Sequence, residues 1–353
     1  MMRKSTTESA MRTDTLTPSI PHLSRFRSRC TNLLSIICLL GSWLLSGCAT
    51  TLPAPVEDVT PGVVKTGAPI PAEVQALIDD WNAPSQAVTP FKVFDNLYYV
   101  GIKWVSAYVL ETSAGLILID SLYGPWIEPM LDNMRSLGLN PEDIRYVIAT
   151  HGHFDHAGGA ATIQRRYGAT VIMTEEDWDL ARQPAAVADF AFDVPASGQI
   201  AQDGEIIELG DTRLELFKTP GHTEGVLTLR YPVRDGAATH QAITLGGVGL
   251  NFSGVARTEA YLASYARIQN DLLRGVSVNL PNHPEMGAVF ERAQTLASRR
   301  PVQPHPFVDE AALTQAIRVI ISNAEAKLEQ ERTGNAPSPL DVLSNAVSSS
   351  QGH

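Results

Sequence analysis

Cysteine is scarce in this chain, and its placement excludes more than its number. Of the 353 residues only Cys30, Cys38 and Cys48 are cysteine. Beyond Cys48 the chain can therefore form no disulfide, offer no thiolate to a metal and use no cysteine nucleophile. Basic residues are also short. The chain has 27 Lys+Arg against 38 Asp+Glu, and the first 47 residues hold six and two of these, which leaves 21 against 36 and a formal charge of −15 from Cys48 onward. Nucleic-acid binding rests on phosphate neutralisation by a basic surface, so nucleic acid is excluded as a partner. No repeat at solenoid periods is present. The most apolar run, Leu33 to Leu45, is too short for a comfortable bilayer span.

That run reads instead as the core of a signal peptide, because Arg25, Arg27 and Arg29 precede it and Leu45-Ser46-Gly47-Cys48 ends it. The last four residues resemble a bacterial lipobox. Cleavage before Cys48 would make it the lipidated first residue of a protein in the bacterial periplasm, anchored to a membrane by its N-terminal lipid, with the outer membrane favoured. The polar stretch before Arg25 is long for a signal, which allows translation to start at Met11. The expected organisation is a signal over 1–47, a tether over 48–85, one domain over 86–332 and a disordered tail over 333–353. Pro53, Pro55, Pro61, Pro69, Pro71 and Pro84 keep the tether extended apart from a short helix, Ala72 to Asp80. The domain is long enough to bury a large core.

Periodicity within the domain predicts strands at Phe91–Phe94, Leu97–Val100, Ala107–Glu111 and Leu116–Ile119, followed by a helix from Pro125 to Leu137. A strand at Tyr146–Ala149, a helix at Ala160–Tyr167, a strand at Val171–Met173 and a helix at Glu175–Ala181 come next. Strands Ile206–Leu209, Leu214–Phe217, Val226–Tyr231 and Ala242–Leu245 form a second block. Helices near Glu259–Leu273, Glu285–Ser298 and Asp309–Glu331 close the domain. The order implies an α/β fold of two similar halves, with sheets inside and helices outside.

The most informative residues are Thr150-His151-Gly152-His153-Phe154-Asp155-His156. Three of the chain's nine histidines and an aspartate fall within six positions, at the carboxyl end of an apolar strand. Imidazole and carboxylate are the ligand types zinc takes in the absence of thiolate. His151 and His153, two apart, can point to one side of an extended loop and share an ion. Asp155 and His156, being adjacent, point elsewhere and suit a second ion. Two further histidines have ligand-like settings. His222 lies in Thr219-Pro220-Gly221-His222, where proline fixes the entry to a turn and glycine permits its dihedrals. His283 lies in Leu280-Pro281-Asn282-His283-Pro284. His22, His240, His305 and His353 have no such setting.

At these residues the chain resembles the metallo-β-lactamase superfamily, whose pattern is His-x-His-x-Asp-His, a later Pro-Gly-His turn and a final histidine. Trp81-Asn82 through Leu97-Tyr98-Tyr99-Val100-Gly101, Leu116 to Asp120, and Asp143 to Gly159 are similar to the third subclass of zinc β-lactamases, and the resemblance runs from about Trp81 to Glu331. It implies an αββα sandwich, with two β-sheets inside and helices on both outer faces. It also implies two Zn²⁺ per chain, one held by His151, His153 and His222 and the other by Asp155, His156 and His283. Other branches place a bridging Asp, or a Cys ligand, after a later strand. The corresponding segment here, Thr244-Leu245-Gly246-Gly247-Val248-Gly249-Leu250, has neither, as in the third subclass. It also lacks the serines with which that subclass helps bind its antibiotic.

The expected activity is that of a metallo-hydrolase opening β-lactam rings, with zinc-activated water attacking the strained carbonyl and Asp155 orienting that water. A lactone, ester or thioester hydrolase is the alternative, since the same chemistry opens any small molecule with an activated acyl group. A non-catalytic, metal-binding envelope lipoprotein is the lesser one. Trp104, Tyr123, Trp126, Asn251 and Phe252 are the expected substrate contacts, and a monomer is the expected state.

Overall fold

Strand β4 (Gly115–Ile119) carries the logic of the fold in four residues. Leu116 and Leu118 enter one apolar cluster while Ile117 and Ile119 enter another. Successive side chains of a strand point to opposite faces, so an uninterrupted aliphatic run requires cover on both sides. The computed structural model describes residues 72–185, 190–300 and 302–334. The expected signal at 1–47, Cys48, most of the tether and all but the first two residues of the tail lie outside the described residues. The helix expected within the tether is α1 (Ala72–Trp81).

Around β4 lie β1 (Phe91–Phe94), β2 (Leu97–Tyr99), β3 (Tyr108–Thr112), β5 (Ile144–Ile148), β6 (Thr170–Met173) and β7 (Gln199–Ile200). Among the described residues these form one seven-stranded sheet in chain order, antiparallel from β1 to β4 and parallel from β4 to β7. A second sheet holds β8 (Ile206–Leu209), β9 (Thr212–Lys218), β10 (Leu227–Asp235), β11 (Ala238–Thr244) and β12 (Val276–Asn279). Its order is β12-β11-β10-β9-β8, with β11 and β12 parallel and the rest antiparallel.

Three apolar layers hold these sheets. On the outer face of the first, Val109, Leu118, Val147 and Val171 meet Met130, Leu131 and Met134 of α2 (Ile127–Ser136) and Trp178 of α5 (Glu175–Arg182). Between the sheets, Leu97, Tyr99, Ile117, Ile119 and Ile148 pack with Leu214, Leu216, Leu229, Tyr231 and Val233. On the outer face of the second sheet, Ile243 and Leu245 meet Tyr261 and Tyr265 of α6 (Val255–Arg267) and the Leu313-Ile317-Ile320-Ala324 stripe of α8 (Glu310–Arg332). Each buried aliphatic side chain contributes about 1.5–3 kcal/mol of transfer free energy. The result is the expected αββα sandwich.

Several local expectations give way. A four-residue helix, α3 (Phe154–Ala157), starts inside the histidine motif, where only a loop was foreseen; α4 (Ala160–Tyr167) follows as expected. The two halves are unequal, with seven strands in one sheet and five in the other, and each sheet contains one short strand, β7 or β12, that periodicity did not reveal. The helix expected from Glu285 is a 3-10 turn, Pro284–Gly287, and then α7 (Val289–Ala297). The break falls at Ala288, whose φ of 48° leaves the right-handed helical region. The same happens at Pro125, where a 3-10 turn, Gly124–Trp126, leads into α2.

Candidate metal centre

The loops after β4, β5, β9, β11 and β12 leave one edge of the sandwich together, and the predicted ligands stand on three of them. His151 and His153 follow β5, His222 follows β9 and His283 follows β12; Asp155 and His156 sit in α3. Backbone bonds lock these loops to one another. Leu227 N–H donates to Thr150 O (2.8 Å), Asn282 N–H to Leu245 O (3.1 Å) and Ser106 N–H to Asn282 O (2.9 Å).

His151 Nε2 lies 3.0 Å from His153 Nδ1, and His222 Nε2 lies 3.1 Å from the same atom. The hydrogen bonds at the far side of each ring decide what these nitrogens offer. His222 Nδ1 faces Gly249 O at 3.0 Å, so Nδ1 carries the proton and Nε2 a lone pair. The Thr150 hydroxyl donates to Asp120 Oδ2 (3.0 Å), which leaves its oxygen to accept from His151 Nδ1 (3.2 Å). His151 Nε2 is then also a lone pair. Imidazole lone pairs converging at this distance repel one another unless a cation lies between them. Burial, with the neighbouring histidines, holds His151 well below the usual imidazole range. Burial does the same for His222. His153 is lowered to about 4, by burial against the partial offset of Asp155. All three are neutral at physiological pH, the form that binds metal.

The second group is built the same way with a carboxylate in it. His156 Nε2 lies 3.0 Å from Asp155 Oδ2, and His283 Nε2 lies 3.8 Å from that oxygen. His156 Nδ1 donates to Asp120 Oδ2 (2.8 Å) and His283 Nδ1 to Trp104 O (2.6 Å), so both Nε2 atoms turn inward. Burial would lower His156, but Asp155 and Asp120 outweigh it and push the imidazole up to about 10. Burial would raise Asp155, and the facing histidines outweigh that, holding it well below the usual carboxylate range. Buried His156 Nε2 and His153 Nε2 have no hydrogen-bond partner. These donors fit zinc: three neutral imidazoles in the first group, an ionised carboxylate in the second with a His156 proton that a bound cation would displace, and no thiolate. His151, His153 and His222 form one group able to hold a metal, and His151, Asp155 and His156 form another; His283 stands beside the second.

Asp120 carries a structural role that no local motif announces. It takes Thr150 N–H on Oδ1 (2.7 Å), and Thr150 Oγ1 and His156 Nδ1 on Oδ2, from a buried position at φ 58°. Its one sequence signal is an aspartate directly after an apolar strand. Asn282, whose amide donates to Gly246 O, was likewise missed as a loop fastener.

The expected substrate contacts divide. Trp104 stacks on Trp81 with centroids 4.5 Å apart and lies 5.8 Å from the His283 ring, at the rim of the second group. Asn251 is half-buried, near Gly249. Tyr123 and Trp126 are only 5 % exposed, and both donate to Trp81 O, at 3.1 and 3.0 Å; burial and spent polar atoms make them packing residues. Phe252 is also buried, against Tyr261 and 6.4 Å from His222, which it backs.

Two β-sheets between helices, with a histidine and aspartate cluster at the strand ends, are the frame and the donor set of a metal centre. Comparison with known proteins carries this further. The metallo-beta-lactamase superfamily profile matches residues 104–239, the stretch that carries the His151–His156 run and His222. Its fold superposes on BJP-1, a subclass B3 metallo-beta-lactamase of Bradyrhizobium japonicum, with a TM-score of 0.64 and 26 % identity over 71 % of this chain and 97 % of that one. The FEZ-1 metallo-beta-lactamase from Legionella gormanii gives 0.64 and 25 %, over 71 % and 99 %. A hydroxyacylglutathione hydrolase of Maricaulis maris is 34 % identical over 111 residues, 31 % of this chain and 38 % of the relative. One of Acidiphilium cryptum is 28 % identical over 52 % of this chain and 75 % of its own. The chain thus spans only 38 % of the length of the Maricaulis maris relative, and 30 % of that of a hydroxyacylglutathione hydrolase of Bradyrhizobium sp..

Proposed function

We propose that this chain is a zinc-dependent hydrolase of β-lactam rings, with His151, His153 and His222 holding one ion and Asp155, His156 and His283 a second. The observation that carries the reading is Gly246. It stands just past β11, where other branches carry a bridging Asp or a Cys, and a Cβ there would lie 1.9 Å from Leu227 O and 2.9 Å from Thr150 Cβ. No side chain fits there, so that position can offer no ligand, which supports a set of six with one carboxylate. That is the third-subclass pattern, and it agrees with the likeness to subclass B3 structures.

Bound zinc would supply two things: a water acidified from a pKa of about 16 to near 7, and polarisation of the scissile carbonyl. The chain's own residues do the rest. Asp155 stays ionised and holds a hydrogen bond from the attacking water, which orients it toward the acyl carbon. Asp120, Gly249 O and Trp104 O each take an Nδ1 proton, which turns the Nε2 atoms of His156, His222 and His283 inward, and His156 would give up its Nε2 proton to the incoming ion. Trp104 and its partner Trp81 exclude water from one side of the substrate.

A thioester or lactone reading has its own support, in the similarity to hydroxyacylglutathione hydrolases and the absence of serines between Gly246 and Gly249. A panel of a chromogenic cephalosporin, acyl lactones and glutathione thioesters, run with and without chelator, separates the two. Chelator-sensitive cephalosporin turnover supports the proposal. Turnover of lactones or thioesters alone replaces it, and metal binding with no turnover across the panel points to a non-catalytic envelope protein.

A further inference from the structure

We propose that Asp177 is the positioning residue of the three-histidine group, a single buried carboxylate that sets the two loops carrying His151, His153 and His222. This rests on the metal-centre reading above and is independent of which acyl substrate the enzyme takes.

Asp177 lies in the first turn of α5, 1 % exposed, far in sequence from every ligand. Its Oδ2 accepts from Thr223 Oγ1 at 3.1 Å, and Thr223 directly follows His222. The N-cap of the same helix, Thr174, donates to Gly225 O at 2.9 Å, two residues further along that loop. The other loop presses on the same turn. A Cβ on Gly152, the residue between His151 and His153, would stand 2.4 Å from Asp177 O. A Cβ on Gly225 would stand 2.0 Å from Thr174 Oγ1 and 2.8 Å from Asp177 Oδ2. Both loops have a glycine where they cross this turn, so both lie flush against it. The other carboxylate oxygen, Asp177 Oδ1, is buried without a hydrogen-bond partner. A buried carboxylate so incompletely satisfied is costly, and packing alone would favour an apolar residue at this place. Its polar contacts are spent on fixing His222's loop relative to that of His151 and His153.

The second group does not depend on this carboxylate. Its supports are Asp120, for His156, and Trp104 O, for His283. The division of labour gives an asymmetric expectation. Removing the Asp177 contact should loosen the three-histidine ion and leave the other one held as before.

The test is zinc affinity by competition with a chromophoric chelator, in backgrounds that keep one group each. In His283→Ala, which leaves the three-histidine group, adding Asp177→Ala or Thr223→Val should weaken zinc binding roughly ten- to a hundredfold. Asp177→Asn, which keeps the oxygen that Thr223 meets, should restore most of it. In His222→Ala, which leaves the second group, the same substitutions should change affinity less than about twofold. Thr223→Val preserves side-chain shape and decides the matter if Asp177→Ala does not fold. Unchanged affinity in the His283→Ala background overturns the assignment, and so does equal loss in both backgrounds, which would mark a general structural role. Failure of the unsubstituted chain to bind zinc would instead refute the metal-centre reading itself.

Discussion

Asp120→Asn changes one oxygen to an amide and should cost the second zinc ion. The backbone tolerates the exchange, since Asp120 has φ 58° and asparagine is among the few non-glycine residues at ease there. The hydrogen bonds do not. Oδ1 accepts from Thr150 N–H, and Oδ2 accepts from both Thr150 Oγ1 and His156 Nδ1. If the amide oxygen stays on Thr150 N–H, the new NH₂ confronts a proton on His156 Nδ1. When His156 gives up a proton it now gives up the one on Nδ1 and keeps that on Nε2, the nitrogen that faces Asp155, and so offers no ligand lone pair there. Loss of one such supporting contact costs a factor of ten to a hundred in metal affinity, about 1.4–2.7 kcal/mol. Competitive chelator titration should therefore show one zinc ion bound as in the unsubstituted protein and one bound ten- to a hundredfold more weakly. Two ions bound at unchanged affinity would refute the tautomer argument.

Four further outcomes can be checked, three on the described residues and one on the signal reading. Gly246→Ala should destabilise the metal-free protein by about 3 kcal/mol in urea unfolding, because its methyl would meet Leu227 O; a variant as stable as the parent would show that the position admits a side chain. Burial pushes the Asp177 carboxyl from 3.8 up to about 7, so the fold favours its protonated form. Its contribution to stability is then full below about pH 4 and lost as the pH rises through 7, a change of roughly 4 kcal/mol. The Tm of the metal-free protein should accordingly fall between about pH 4 and 7 relative to that of Asp177→Asn, and a constant difference would contradict this. Trp104→Ala should raise KM more than it lowers kcat for substrates with aryl groups, and an equal fall in kcat alone would remove Trp104 from the substrate rim. Cys48→Ala should abolish labelling with radioactive palmitate and release the protein from the membrane fraction; continued membrane attachment would refute the lipoprotein reading.

The candidate ligands were legible because each announces itself locally. His151 to His156 are one short run, and His222 and His283 sit in proline-bounded turns. What adjacency could not show is α3, whose first turn includes both Asp155 and His156. The residues that aim the ligands were hidden, because the contact is made through the fold. Asp120 meets Thr150 across thirty positions, and Asp177 meets Thr223 across forty-six. Asp177 also looks in sequence like an ordinary acidic residue at a helix start, one of three beside Glu175 and Glu176. Strand β12 was not foreseen, although its position beside β11 is what carries His283 to the site. Tyr123 and Trp126 show the converse limit. An aromatic next to a strand end resembles a substrate wall until its N–H or O–H is found donating to Trp81 O.

The central claim is that these six side chains hold two zinc ions that hydrolysis requires. The direct measurement is zinc content by mass spectrometry on one preparation, alongside cephalosporin turnover, as the metal is stripped with chelator and added back stepwise. The account predicts two zinc ions per chain, turnover that disappears on stripping, and recovery that tracks the returned metal. A chain that retains no zinc, or that hydrolyses its substrate at full rate after stripping, would contradict it.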